Sequence, residues 1–114
     1  MAEIPFCPEL SVDEVAELLN DRRVVLFDAN PRPRWASGHV PGAINLDPAN
    51  LGESDLPRDK SAMLVFYCSD PGCGASRHAA KKALKMGFPH VFTMPAGIRG
   101  WLAAGKRAAA GGRS

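Results

Sequence analysis

An α/β domain with a mainly parallel sheet is the fold class this sequence predicts, and three observations predict it. Apolar runs of strand length alternate along the chain with segments of helical periodicity. Two of those runs, Val24 to Phe27 and Ala62 to Tyr67, are apolar throughout, as strands covered on both faces must be. They stop at polar or reactive residues, Asp28 and Cys68, and a third run, His90 to Met94, ends at Met94. Ligands in open α/β sheets bind beyond the carboxyl ends of the strands, so these ends share one edge of the sheet.

The elements follow in chain order. Ser11-Val12-Asp13-Glu14 has the form of a capping box and starts a helix whose apolar positions are Val12, Val15, Ala16, Leu18 and Leu19; Asn20-Asp21 ends it. The first strand is Val24 to Phe27. Pro31 to Trp35 is a short turn or helix, and Gly38 to Ala43 carries turn chemistry into a brief strand, Ala43 to Leu46. Asp47 to Leu56 reads as a loop with a helical turn, since Pro48 suits a first helical position. After Ala62 to Tyr67, the segment Ser69 to Gly74 gathers one proline and two glycines and is irregular. From Ser76 a helix buries Ala79, Ala80, Ala83 and Leu84 and stops at Gly87. His90 to Met94 is the last strand and Ile98 to Ala104 the last helix.

The 114 residues fit one domain, 1–114, with a core of about 8–105 and a frayed tail, Lys106 to Ser114. A composition of 46% hydrophobic and 23% charged residues is that of an ordinary globular chain. The longest apolar stretch, Ala62 to Cys68, is far short of the roughly 20 residues a spanning helix needs, and the amino end lacks the pattern of a leader. A formal charge of +2 with scattered basic residues argues against nucleic acid as partner. Three cysteines without Cys-x-x-Cys or Cys/His spacing argue against a disulfide scaffold and against a metal site, and place the chain in a reducing compartment, the cytoplasm. Neither a membrane nor a cofactor is expected.

Cys68 is the candidate nucleophile. A thiolate is stabilised by free backbone amides at a helix start, and a loop from Ser69 to Ala75 curling over the sulfur would turn its amides, with the start of the Ser76 helix, onto an exposed Cys68. Position alone leaves open a buried, inert cysteine closing a core strand.

The whole chain resembles the rhodanese family of sulfurtransferase domains. Asp28 followed by Gly38-His39-Val40-Pro41-Gly42-Ala43 is similar to the family's strand-end Asp and its Gly-His-x-Pro-Gly-Ala signature. Val65-Phe66-Tyr67-Cys68 resembles the strand that delivers the active-site cysteine, and Ser76 to Phe88 the helix after it. Ala96-Gly97-Ile98-Arg99-Gly100-Trp101 resembles the closing Gly-Gly-Ile-x-x-Trp element. The resemblance spans about Leu10 to Gly105. It implies a central, mainly parallel five-stranded sheet flanked by helices on both faces.

It also implies that Cys68 carries sulfane sulfur as a persulfide, taken from a thiosulfate-like or persulfide donor and passed to a thiol, a protein thiol included, or to cyanide. The active-site loop is then Ser69, Asp70, Pro71, Gly72, Cys73, Gly74, Ala75, Ser76 and Arg77, supported by Asp28, Arg32, Arg34 and His39, the last as a structural partner of Asp28. Two departures stand out. The loop is about two residues longer than the family's usual one and carries Cys73, which is either a thiol that resolves or shares sulfur held on Cys68 or a loop thiol pointing to solvent or packed under the loop. The place two after Asp28, commonly Arg, is Asn30.

Two rival functions follow. Rhodanese-like domains also serve as non-catalytic binding or sulfur-delivery modules. Relatives of the fold act as phosphatases or arsenate reductases through a loop of Cys, five residues and Arg, but the position six after Cys68 is Gly74, which lacks the guanidinium such chemistry needs.

Overall fold

The structure, a computed structural model, describes residues 7–111. Its elements are α1 (Val12–Leu18), β1 (Val24–Asp28), α2 (Arg32–Ser37), β2 (Ile44–Asn45), β3 (Met63–Tyr67), α3 (Ala75–Lys85), β4 (Val91–Met94) and α4 (Gly97–Ala103), with 3-10 turns at Pro48–Asn50 and Glu53–Asp55. The capping box closes as the sequence predicts, the Ser11 hydroxyl taking the Glu14 amide and the Glu14 carboxylate taking the Ser11 amide.

The strands lie in the order β2-β1-β3-β4 and every pairing is parallel. β1 and β3 are central, which is why their sequences carry no polar alternation before the strand ends. Side chains alternate between the two faces. Phe27, Leu64, Phe66 and Val91 pack with Ala79, Ala80 and Ala83 of α3 and with Phe88, and the small alanines let the helix lie close to the sheet. Leu26, Val65, Tyr67 and Met94 pack on the opposite face with Val15 of α1 and with Ile98 and Trp101 of α4. Helices therefore cover both faces. Phe27 and Phe66 stack across the central pair at 5.1 Å.

Two expectations are corrected. Among the described residues the sheet has four strands, not five. The fifth place holds a single parallel bridge, Glu9 to Thr93, with the Leu10 amide donating to the Thr93 carbonyl and the Thr93 amide to the Pro8 carbonyl. Pro8 has no N–H to extend the ladder and the capped start of α1 follows at once, so a strand has no length in which to grow. The second concerns the tail. Through Gly111 it is bound back onto the fold: the Trp101 indole donates to the Arg107 carbonyl, Ala109 and His39 exchange backbone bonds, and the Gly111 amide reaches the Ala36 carbonyl. Small residues allow that backbone-to-backbone approach. Residues 112–114 of the expected tail lie outside the described residues.

Candidate active site

β3 ends at Tyr67 and α3 begins at Ala75, and the loop between them opens with Cys68. Its base is fixed by α4. The amides of Ile98 and Arg99 donate to the carbonyls of Cys68 and Ser69 at 2.9 and 3.0 Å. Gly97, at φ +65°, makes this approach possible, because a Cβ there would lie 2.5 Å from the Ser69 carbonyl. The tip is fixed differently. Asp70 takes the Gly72 amide on its carboxylate and the Cys73 amide on its carbonyl, forming a turn whose Pro71, Gly72 and Gly74 are exposed.

This turn changes the expected environment of the sulfur. Cys68 is only 2% exposed. Its thiol donates to the Cys73 carbonyl at 3.5 Å and lies 3.6 Å from the Ser76 hydroxyl. Of the expected ring of inward amides, that of Ser76 favours the Cys68 thiolate, while those of Ala75 and Ser69 favour the Cys73 thiolate instead. The Asp70 turn is the cause, since it folds Cys73 back over the site. The electrostatics follow. Burial pushes the Cys68 thiol up and its hydrogen bond with the Cys73 thiol adds to this, against the pull of the Ser76 hydroxyl and amide. Burial opposes ionisation of Cys73 too, but it is outweighed by the Cys68 S–H and the amides of Ala75 and Ser69, so Cys73 lies below the usual thiol value. The half-exposed Cys73 is therefore the first of the pair to ionise. All three cysteines are free thiols.

A polar network braces the loop from the β1 side. Arg34 donates to the Ser69 hydroxyl at 2.7 Å, Ser69 donates to Asn30 Oδ1 at 2.8 Å, and the Asn30 amide donates to Asp28 Oδ1. Asn45 Nδ2 ties down the carbonyls of Asp28 and Asn30. Asp28 is fully buried, and burial holds its carboxyl above the usual range against the opposing bonds from Asn30 and Tyr67. The Tyr67 hydroxyl accepts the Val40 amide and so connects the network to the Gly38–Ala43 turn.

Of the residues expected at the site, Cys68, Ser69, Cys73 and Ser76 are gathered at the sulfur. Arg34 reaches the loop through Ser69. Arg32 lies over the Trp35 ring at 5.7 Å, and the Arg77 guanidinium lies beside Gly74. The hydrogen bond of His39 differs from the expected one. Its Nδ1 donates to the Trp35 carbonyl at 2.7 Å and its ring stacks on Trp35, rather than bonding Asp28. Sequence reasoning does not single out Asn30, Asn45 or Gly97 as site residues. Asn30 is visible there only as a departure from Arg, and Gly97 only as the glycine before a helix. A groove of about 510 Å³ lies beside the start of α3, lined by Asn30, Arg32, Asn45, Asp47, Pro48 and Ala75.

A family model described as a rhodanese-like domain matches residues 11–104. The chain belongs to the rhodanese-like domain family. Among curated relatives, the uncharacterized protein YibN of Escherichia coli is 31% identical over 97 residues, covering 77% of this chain and 62% of YibN. The chain thus spans less than two thirds of that relative's length. The thiosulfate sulfurtransferase GlpE of Pseudoalteromonas translucida is 27% identical over 95 residues, covering 83% of this chain and 89% of GlpE. Among solved structures, the BH2092 protein of Bacillus halodurans superposes with a TM-score of 0.84 at 21% identity, over 90% of this chain and 77% of that one. The fold is accordingly rhodanese-like. Among the described residues no helix is long and apolar enough to cross a membrane.

Proposed function

We propose that this domain is a sulfurtransferase that carries sulfane sulfur as a persulfide on Cys68. The observation that carries the reading is the placement of Cys68 at the carboxyl end of a central strand, with the Ser76 hydroxyl and amide at the start of α3 directed at its sulfur. Loading breaks the donor's sulfur–sulfur bond, leaves the sulfane sulfur on Cys68 and releases the remainder of the donor; a thiol or cyanide then takes the sulfur and frees the Cys68 thiolate. Burial and the bond to the Cys73 carbonyl favour the protonated thiol of Cys68 at rest. Loading requires the Cys73 carbonyl to leave the sulfur, a local opening of a turn held to Asp70 at an exposed tip. Arg32, in the groove beside α3, and Arg34, bonded to Ser69 of the loop, draw anions such as thiosulfate toward the site. Three free thiols support a reducing, cytoplasmic setting.

The test is a panel of thiosulfate and persulfide donors with cyanide and thiol acceptors. Wild type should transfer sulfur and Cys68→Ser should not; full transfer by Cys68→Ser would end the reading. The burial of Cys68 favours one alternative, a non-catalytic binding or delivery module. That alternative predicts negligible transfer by wild type from every donor in the panel.

A further inference from the structure

We propose that Cys73 is a resolving thiol that discharges sulfur held on Cys68 as hydrosulfide, closing a Cys68–Cys73 disulfide. The inference rests on the sulfur-carrier reading above and adds the fate of the sulfur. The two cysteines are differently mounted. Cys68 is held at the fixed base of the loop, its carbonyl bonded to the Ile98 amide. Cys73 sits at the exposed tip between Gly72 and Gly74, where an added Cβ would meet only side-chain atoms at ordinary contact distance, Asp70 at 3.4 Å and Arg77 at 3.7 Å. Cys68 is thus anchored through α4, and Cys73 only through the local turn on Asp70. The Cys73 backbone already touches the Cys68 sulfur, whose thiol donates to the Cys73 carbonyl at 3.5 Å. Five residues of separation keep the second thiol at high local concentration.

The step balances without a further oxidant. The Cys73 thiol gives its proton to solvent, and its thiolate attacks Sγ of Cys68. The bond between Sγ and the outer sulfur breaks, and the outer sulfur leaves with the electron pair as hydrosulfide. The sulfane sulfur is reduced by two electrons and the two thiols are oxidised to a disulfide. Attack on the outer sulfur would instead move it to Cys73 and expel the Cys68 thiolate. The Cys73 backbone lies against Sγ itself, and hydrosulfide departs into water as the anion of a stronger acid than a thiol, so for this neighbour attack at Sγ prevails. The exposed tip and the acidic character of Cys73 suit it to the role of attacker. A dithiol reductant must then reopen the disulfide, which places the domain before a dithiol–disulfide exchange reaction.

The test loads reduced, full-length chain with thiosulfate and, in parallel, with an alkyl persulfide, removes the donor, and follows intact mass, released sulfide and linkage mapping in thiol-free buffer. Wild type should lose two hydrogens, release one sulfide per chain and show a Cys68–Cys73 linkage. Cys73→Ser, a substitution at the loop tip, should keep one added sulfur on Cys68 at least about ten times longer. Equal retention by both proteins overturns the inference and leaves the carrier reading standing. A linkage through Cys7 or between chains overturns it as well. If Cys73→Ser takes up no sulfur from either donor, the carrier reading falls and the inference falls with it.

Discussion

Gly97→Ala tests how the fold holds the cysteine loop. Gly97 sits at φ +65°, and a Cβ there would lie 2.5 Å from the Ser69 carbonyl carbon and oxygen and 2.6 Å from the Cys68 carbonyl oxygen. All three neighbours are backbone atoms, which cannot rotate away as a side-chain end would. Left-handed alanine costs about 1–2 kcal/mol, and forcing a methyl into a packed contact adds about 1–3 kcal/mol. The sum, about 2–5 kcal/mol, is a large share of the roughly 5–15 kcal/mol that stabilises a typical domain. Urea unfolding should show the unfolding free energy falling by that amount, through a lower midpoint at unchanged slope. Gly87→Ala separates the two costs. Its φ is +100° with nothing within 4 Å, so it suffers the backbone strain alone. The difference between the variants should be about 1–3 kcal/mol, the cost of the clash. Displacing the carbonyls of Cys68 and Ser69 also loosens their bonds to Ile98 and Arg99, so sulfur transfer should fall in Gly97→Ala and not in Gly87→Ala. A Gly97→Ala protein within about 0.5 kcal/mol of wild type would refute the reasoning, because an unstrained surface change has that small an effect.

Two further predictions concern titrating groups. In the resting protein near neutral pH, iodoacetamide followed by peptide mass spectrometry should label Cys73 at least about tenfold faster than Cys68, since Cys73 ionises first and Cys68 is sealed. Cys7, pushed up to about 11 by burial and by Glu9, should also lag, and labelling of Cys68 ahead of Cys73 would contradict the arrangement. Asp28 makes the sign of a pH effect testable. Burial first, against the bonds from Asn30 and Tyr67, raises its folded pKa above the unfolded one. Its protonated form therefore stabilises the fold fully below the unfolded pKa, and this contribution is lost as pH rises through the folded pKa. Asp28→Asn lacks that loss, so its stability relative to wild type should grow from about pH 4 toward neutrality, by about 1.4 kcal/mol for every tenfold by which folding weakens the Asp28 acid. Denaturant curves across that range check it; a difference independent of pH would contradict it.

What the sequence made legible was local or periodic. The Ser11 and Glu14 pair lies within one helical turn, so the capping box needed no tertiary knowledge. The unbroken apolar runs at β1 and β3 reflected their central places, and the alanines of α3 marked its buried face. The failures all depend on distant partners. Pro8 to Leu10 has no strand signature because only one residue bridges β4, and the docked tail owes its place to backbone bonds with His39 and Ala36 that composition does not encode. At the site, the strand-to-helix position singled out Cys68, and the loop length singled out Cys73. The direction in which the longer loop folds was not legible, because it is set by the Asp70 turn and by the hold of α4 on the loop base. The same holds for Asn30, whose role depends on Ser69 and Asn45 from two other segments.

Mapping the sulfur itself in Cys73→Ser tests the central claim most directly, because there no neighbouring thiol removes it. After brief treatment with thiosulfate or a small persulfide, peptide mass spectrometry should find one extra sulfur atom on the peptide bearing Cys68. Sulfur found only on Cys7, or on no cysteine, would contradict the account.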